Sequence, residues 1–332
     1  MNCGIRQNGM TLVEVLIAMV IGLFLLAGIV QVYLGNRVSF AFTNAIAETQ
    51  ENGRFALDII SQDLRSAGEW GCIQFDPDDP DNVNNTLTAA TVPGFDLDYH
   101  DFTGRPPIEG EEGGGLNGSD SLTIRGGKPG QSNVETPFFT STSKKLRTRN
   151  TGRIEVGDIV LVARCGANDL LIDAEADVHR VAAIDATVGN DQRELSFASE
   201  KSQQFENDAV LIELQTVNYF IGDGASGQPA LFRQEFGEQP QELVEGVEEM
   251  QILYGVDTDA DQFPNQYQQA NAVADFNDVV AAQIRLLLRS MDDNVTDNVS
   301  SYRFNGNVRV ANDRHLRREF SATITLRNRI GS

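Results

Sequence analysis

Glu14 is the only charged residue in an apolar run from Met10 to Val30. A carboxylate held at mid-bilayer depth costs roughly 2.5–3.5 kcal/mol. Its chemistry there is that of an acid in need of a cation. Asp257, Asp259 and Asp261 stand at alternate positions, and hard oxygen donors spaced this way suit Ca²⁺. An EF-hand is excluded, because Gln262 stands where its turn glycine belongs and Gln268 where its bidentate glutamate belongs. A looser calcium loop and an acidic surface turn both fit the three aspartates, so Ca²⁺ is the one cofactor to consider. His100, His179 and His315 lie far apart without metal-ligand spacing and read as exposed or core-satisfied. GGKPGQS (126–132) is no phosphate loop, since Pro129 follows Lys128. GASGQ (224–228) lacks the order of a nucleophile elbow. No constellation here supports catalysis, so the chain does not read as an enzyme.

The elements that position these residues follow from periodicity. The Met10–Val30 run is 21 residues, about the ~20 needed to span a bilayer. No proline interrupts the chain from Asn36 to Ala67, where Val38, Phe42, Ile46, Thr49, Gly53, Ala56, Leu57, Ile60 and Leu64 recur at three- or four-residue spacing. That is one apolar stripe on a helix, with Gly68 as its stop. An unbroken helix over Met10–Ala67 would be on the order of 87 Å long. Gly22, Gly28 and Gly35 are its weak points, each costing about 1 kcal/mol relative to alanine.

Loop signals fill 75–120. Strand signals then recur at 121–124, 158–163, 178–184, 194–197, 209–220, 230–234, 251–256, 279–289 and 320–327. Residues 241–249 read as a short helix. The expected fold class is α+β, a lollipop with a long N-terminal helix packed on an antiparallel β-rich head. Lys and Arg total 26 against 48 Asp and Glu, a net charge of −22. That balance argues against nucleic-acid binding, which needs a basic footprint. Lys144, Lys145, Arg147, Arg149 and Arg153 form one local basic cluster, read as a solvated loop with nucleic-acid or surface contact as its alternative.

The order Gly9-Met10-Thr11-Leu12-Val13-Glu14 before a long apolar helix resembles the type IV prepilin N-terminus. Met10 departs from the commoner phenylalanine. The stretches QENGRFALDIISQDLRSAGEWGC (50–72), ELVEGVEEMQILYGVDTDAD (242–261), AAQIRLLLRS (281–290) and RREFSATITLRNR (317–329) are similar to those of PilW-like minor pilins.

The resemblance implies a type IV pilin-like fold with a leader over 1–9, a transmembrane half-helix over 10–34, an amphipathic half over 35–68 and a periplasmic head over 69–332, variable at 75–150. It implies cleavage between Gly9 and Met10 by a prepilin peptidase, N-methylation of Met10, and Glu14 registering one subunit against the amine of the next. The leader would carry Cys3 away, leaving Cys72 and Cys165, an even pair that reads as a disulfide in an oxidising compartment. Two buried thiols are the alternative. The implied function is that of a minor pilin whose complex primes assembly at the pilus tip. Its implied partners are other minor pilins, the major pilin, the inner-membrane assembly platform and a tip adhesin. A tip pseudopilin of type II secretion, the J type, is the rival role.

Overall fold

The computed structural model describes residues 11–73, 83–149, 154–164, 175–186, 188–189, 191–296 and 298–326. Helix α1 runs unbroken from Leu12 to Ser66, 55 residues, or about 83 Å. It passes Gly22, Gly28 and Gly35 without interruption. Gly68 adopts a left-handed φ of +68° just beyond the end, as a helix-terminating glycine does. Burial along α1 begins at Ala45 and continues through Thr49, Gly53, Ala56, Ile60, Ser61 and Leu64. The front of the expected stripe is different, because Val38 and Phe42 have no head beneath them and stay exposed.

Among the described residues the head is built from sixteen strands, with four short helical turns in its loops, at Leu97–His100, Leu116–Gly118, Ala270–Ala272 and Phe276–Asp278. A ten-stranded sheet holds β1 (Val83–Asn85), β2 (Ile108–Glu111), β3 (Ser121–Asn133), β4 (Lys145–Arg149), β5 (Ile159–Arg164), β6 (Glu175–Asp185), β7 (Gln192–Phe197), β8 (Ala209–Asp223), β9 (Pro229–Glu235) and β10 (Gln241–Glu245). Its main path is β10-β9-β8-β5-β6-β7-β4, with β3 along the remaining edge of β8 and β2 beyond β3. A four-stranded sheet follows the order β12 (Gln266–Gln268), β11 (Val247–Val256), β13 (Val279–Arg289), β16 (Arg317–Thr325). Strands β14 (Ser301–Phe304) and β15 (Asn307–Val310) form a separate hairpin. Pairing is antiparallel except for the three-residue β1–β6 contact, which is parallel.

The main core lies where α1 meets both sheets. Ala56, Ile60 and Leu64 pack with Leu122, Val217 and Tyr219 of the large sheet and with Ile252, Ile284 and Ile324 of the small one. Two corrections concern the strands. Residues 241–249 are β10 and the start of β11, not a helix. Gly246 turns the chain between them at φ +80°, and a Cβ there would sit 2.7 Å from the Arg289 carbonyl oxygen. Of the basic cluster, Lys145, Arg147 and Arg149 lie on strand β4, not in a loop, and Lys144 stands just before it. Lys145 and Arg147 both bind Glu194 of β7, at 2.6 and 2.8 Å, and Arg149 binds Glu135 at 3.3 Å. Arg153 lies outside the described residues.

Candidate functional site

The N-terminal end of α1 is closed by its own side chains. Thr11 is the N-cap, and its hydroxyl accepts the Glu14 backbone N–H at 3.3 Å. The Glu14 carboxylate accepts from the Thr11 backbone N–H at 3.3 Å in return. This reciprocal capping box satisfies two N–H groups that a helix start leaves orphaned. Its signal, Thr-x-x-Glu, stands in the sequence at 11–14, so Glu14 has a role that charge reasoning alone passes over. Gly9 and Met10 lie outside the described residues.

Beyond the cap, the helix presents apolar side chains to nothing. Leu12 is 77% and Phe24 75% exposed. It is the one helix, among the described residues, long and apolar enough to cross a membrane. A Cβ added at Gly22, Gly28 or Gly35 would meet nothing within 4 Å.

The rear of α1 is fixed to the head by close backbone approach and one polar lock. A Cβ at Gly53 would lie 2.6 Å from the Phe320 ring of β16. At Gly126 in β3 it would lie 2.3 Å from the Ser66 carbonyl oxygen. Glycine at 126 therefore lets the helix end dock on the strand, where Ala67 bridges it and Gly68 N–H donates to Arg125 O at 2.9 Å. The motif that fails as a phosphate loop works as a seat for the helix.

Asp63 accepts from Tyr219 Oη at 2.6 Å and from Arg233 Nε at 3.0 Å. Desolvation and the neighbouring Asp63 carboxylate both push the Tyr219 hydroxyl up, so it stays a donor. Burial alone would lower Arg233, but Asp63 outweighs it and the guanidinium stays charged. Sequence reasoning missed this lock, whose three residues come from α1, β8 and β9.

The remaining sequence candidates fall on the head. Cys72 is disulfide-bonded and packs on the cluster containing Leu161 and Ala163. Cys165, two residues beyond Ala163, lies outside the described residues. Asp257, Asp259 and Asp261 bring carboxylate oxygens within 4.8 Å of one another. Asp257, however, accepts backbone N–H groups from Asp259, Ala260 and Gln262 at 3.1, 2.8 and 2.7 Å. Desolvation would raise its carboxyl, but these donors outweigh it and hold it below the ordinary range. Asp261 accepts from Phe263 N–H and Asp259 from the Asn265 amide. The donor types fit a hard cation, yet the loop's own donors already hold much of the carboxylate surface.

All three histidines are buried. His179 Nδ1 lies 2.9 Å from Ser199 Oγ and its Nε2 lies 3.3 Å from Asp177, the residue types of an acyl-transfer triad with the two ring nitrogens exchanged. Its setting is structural. His179 and Asp177 are 0% exposed, Ser199 donates onward to Thr86 at 2.6 Å, and Asp177 also accepts from Ser202. Burial would raise Asp177, but the His179 and Ser202 hydrogen bonds outweigh it and lower the carboxyl. The network ties the segment after β1 and the loop after β7 to β6.

No curated protein matches the chain. Among solved structures it is similar to the Type IV-like pilin TTHA1219 from Thermus thermophilus, at 13% identity and a TM-score of 0.22, over 52% of this chain and 85% of that one. Residues 5–30 match the family model described as the prokaryotic N-terminal methylation motif. Residues 218–328, from β8 through β16, match the model described as Type IV Pilus-assembly protein W. A methylation motif opens the exposed apolar helix and a stretch matching the pilus-assembly W model closes the head, and together these two matches support a PilW-like type IV pilin.

Proposed function

We propose that this chain is a minor pilin that joins a minor-pilin complex, primes pilus polymerisation and occupies the tip. Residues 1–9 are the leader, 10–34 cross the inner membrane, 35–68 rise from it, and 69–332 form the periplasmic head. Prepilin peptidase cuts between Gly9 and Met10 and methylates the new amine. The role is assembly, not catalysis, with the other minor pilins, the major pilin, the assembly platform and a tip adhesin as partners. Cys72 pairs with Cys165 in this reading.

The observation that carries the proposal is the uncovered front of α1. Each large apolar side chain left in water there forgoes roughly 1.5–3 kcal/mol. Lipid supplies that burial before assembly, and neighbouring helices supply it afterwards. Glu14 then passes from its local cap to the cationic amine of an adjacent subunit, since a carboxylate without either partner is the costlier state. Intact-mass measurement in peptidase-positive and peptidase-null cells tests the processing step. The expected mature chain begins at methylated Met10, and Gly9→Ala blocks the change. An identical mass in both strains would refute it.

A further inference from the structure

The outer face of the β2–β3–β8 strands carries a cleft of about 420 Å³, within the range of about 300–1,000 Å³ that ligand pockets occupy. Strand alternation makes it. Ile108, Leu122, Ile124, Val217 and Tyr219 point into the core beneath α1. Glu109, Glu111, Ser121, Thr123 and Asn218, one residue out of step, line the cleft on the opposite face. Register places Thr123 at the centre of the floor, with Glu109 beside it on β2 and Asn218 beside it on β8.

The floor is polar and largely unused. The hydroxyls of Ser121 and Thr123 and the carboxylate of Glu111 make no hydrogen bond or ion pair with the described residues. Asn218 Oδ1 is buried without a partner. A buried acceptor left unpaired calls for an explanation, and a ligand hydroxyl supplies one. The walls are aromatic. Tyr99 stacks on Phe236 with centroids 4.5 Å apart, and Phe276 packs edge-on against Tyr254 at 5.0 Å. Each wall ring is therefore backed by a second ring and held in place.

The charges balance. Arg105 and Arg125 both bind Glu109, at 3.0 and 2.6 Å, and Glu111 adds a second carboxylate. With both guanidiniums engaged by a carboxylate, the cleft is poorly suited to phosphate or carboxylate ligands. What fits is a ligand with flat C–H faces for the rings, many hydroxyls for the floor, and no net charge. Aromatic faces carry negative potential that C–H groups approach, while Asn, Ser, Thr and Glu together supply both donors and acceptors to hydroxyls. From this cleft we infer that the head binds a short neutral oligosaccharide. The inference rests on the head alone and stands apart from the pilus role.

The test uses the full chain in phosphatidylcholine nanodiscs, which avoids glycoside detergents. The probes are an array of defined neutral, sialylated and sulfated oligosaccharides, with hits titrated by calorimetry. At least one neutral oligosaccharide should saturate the protein at millimolar concentration or below. Asn218→Leu and Phe276→Ala should each weaken it about tenfold or more, equivalent to about 1.4 kcal/mol. Thr123→Val, nearly isosteric and harmless to folding, should weaken it severalfold. Tyr267→Ala, which removes an exposed ring from another loop, should leave it unchanged. Saturation by acidic glycans alone, by none of the array, or equally by wild type and Thr123→Val and Asn218→Leu variants would overturn the inference.

Discussion

From Leu12 to Asn44, helix α1 leaves nearly every side chain exposed; from Ala45 to Ser66 one face is buried against two sheets. Both segments are helical and both carry glycine. In the front half, glycine faces empty space, and in the rear half Gly53 faces the Phe320 ring. One helix thus has two kinds of interface. The rear interface is complete within the chain and fixes the head. The front interface is apolar, capped and unfilled, so its partner must come from outside the chain.

The largest effect expected from this contrast is at the helix seat. Gly126→Ala puts a Cβ 2.3 Å from backbone oxygen, which no rotamer change relieves. The expected loss is about 3 kcal/mol, read as a lower denaturation midpoint and faster proteolysis of the head. Unchanged stability would show that the helix end is not seated on β3.

Alanine scanning of the glycines sharpens the comparison further. Gly53→Ala should cost about 1–3 kcal/mol, because Phe320 must shift. Gly28→Ala should cost nothing and could raise helix stability by about 1 kcal/mol. Opposite signs for one substitution in one helix are the outcome the two-interface account requires.

Stability should respond to mild acid only through the head. Asp120, just before β3, is buried, and desolvation pushes its carboxyl up to about 6 against the backbone N–H bonds from Ile252 and Gly113. A carboxyl raised in the folded state binds its proton more tightly there than in the unfolded chain. Folding is therefore penalised above pH 6 and gains as pH falls from 7 toward 4. Burial raises Glu213 and Asp158 too and lowers His100. The Asp120 contribution is therefore read as the difference between wild type and Asp120→Asn in thermal melts between pH 7.5 and 5, where wild type should gain more, or lose less, as the pH falls. Asp313, held near 2 by Arg317, titrates well below that window.

The smallest effect concerns the outer loop. Asp257 is already held by three backbone donors, so millimolar Ca²⁺ should leave the melting temperature unchanged, and EDTA likewise. A clear rise with Ca²⁺ would assign the loop a cation by mass action.

The helix was legible in the sequence because its period is long, regular and free of proline. What the pattern could not tell was that its stripe is covered only from Ala45, since coverage depends on where the head lies. Long apolar strands such as β8 and β13 were legible for the same reason. β14 and β15 are short and polar, yet the Asn305-Gly306 pair between them, with φ of 48° and 76°, is the turn signal of a hairpin. The reading of 241–249 failed because Leu243, Val244 and Val247 suit either period, and Gly246 decides for a turn. Glu14 stood out by charge, and its capping box was written in Thr11. The Asp63 lock was not legible, because its partners lie 156 and 170 residues away. The oligosaccharide cleft was hidden likewise, since only strand register brings Glu109, Thr123 and Asn218 side by side.

Glu14 is where the account is most exposed, and two substitutions separate its two roles. Glu14→Gln keeps a capping-box side chain and removes the charge, whereas Glu14→Val removes both. Membrane insertion and cleavage should survive either change, since the desolvation cost falls. The measurement is co-purification of the other minor pilins with each mature variant, alongside a count of surface pili. Reduced recovery and fewer pili for both variants, at normal levels of mature protein, is the predicted result. Wild-type recovery and piliation with Glu14→Gln would contradict it, and would leave Glu14 as a helix cap alone.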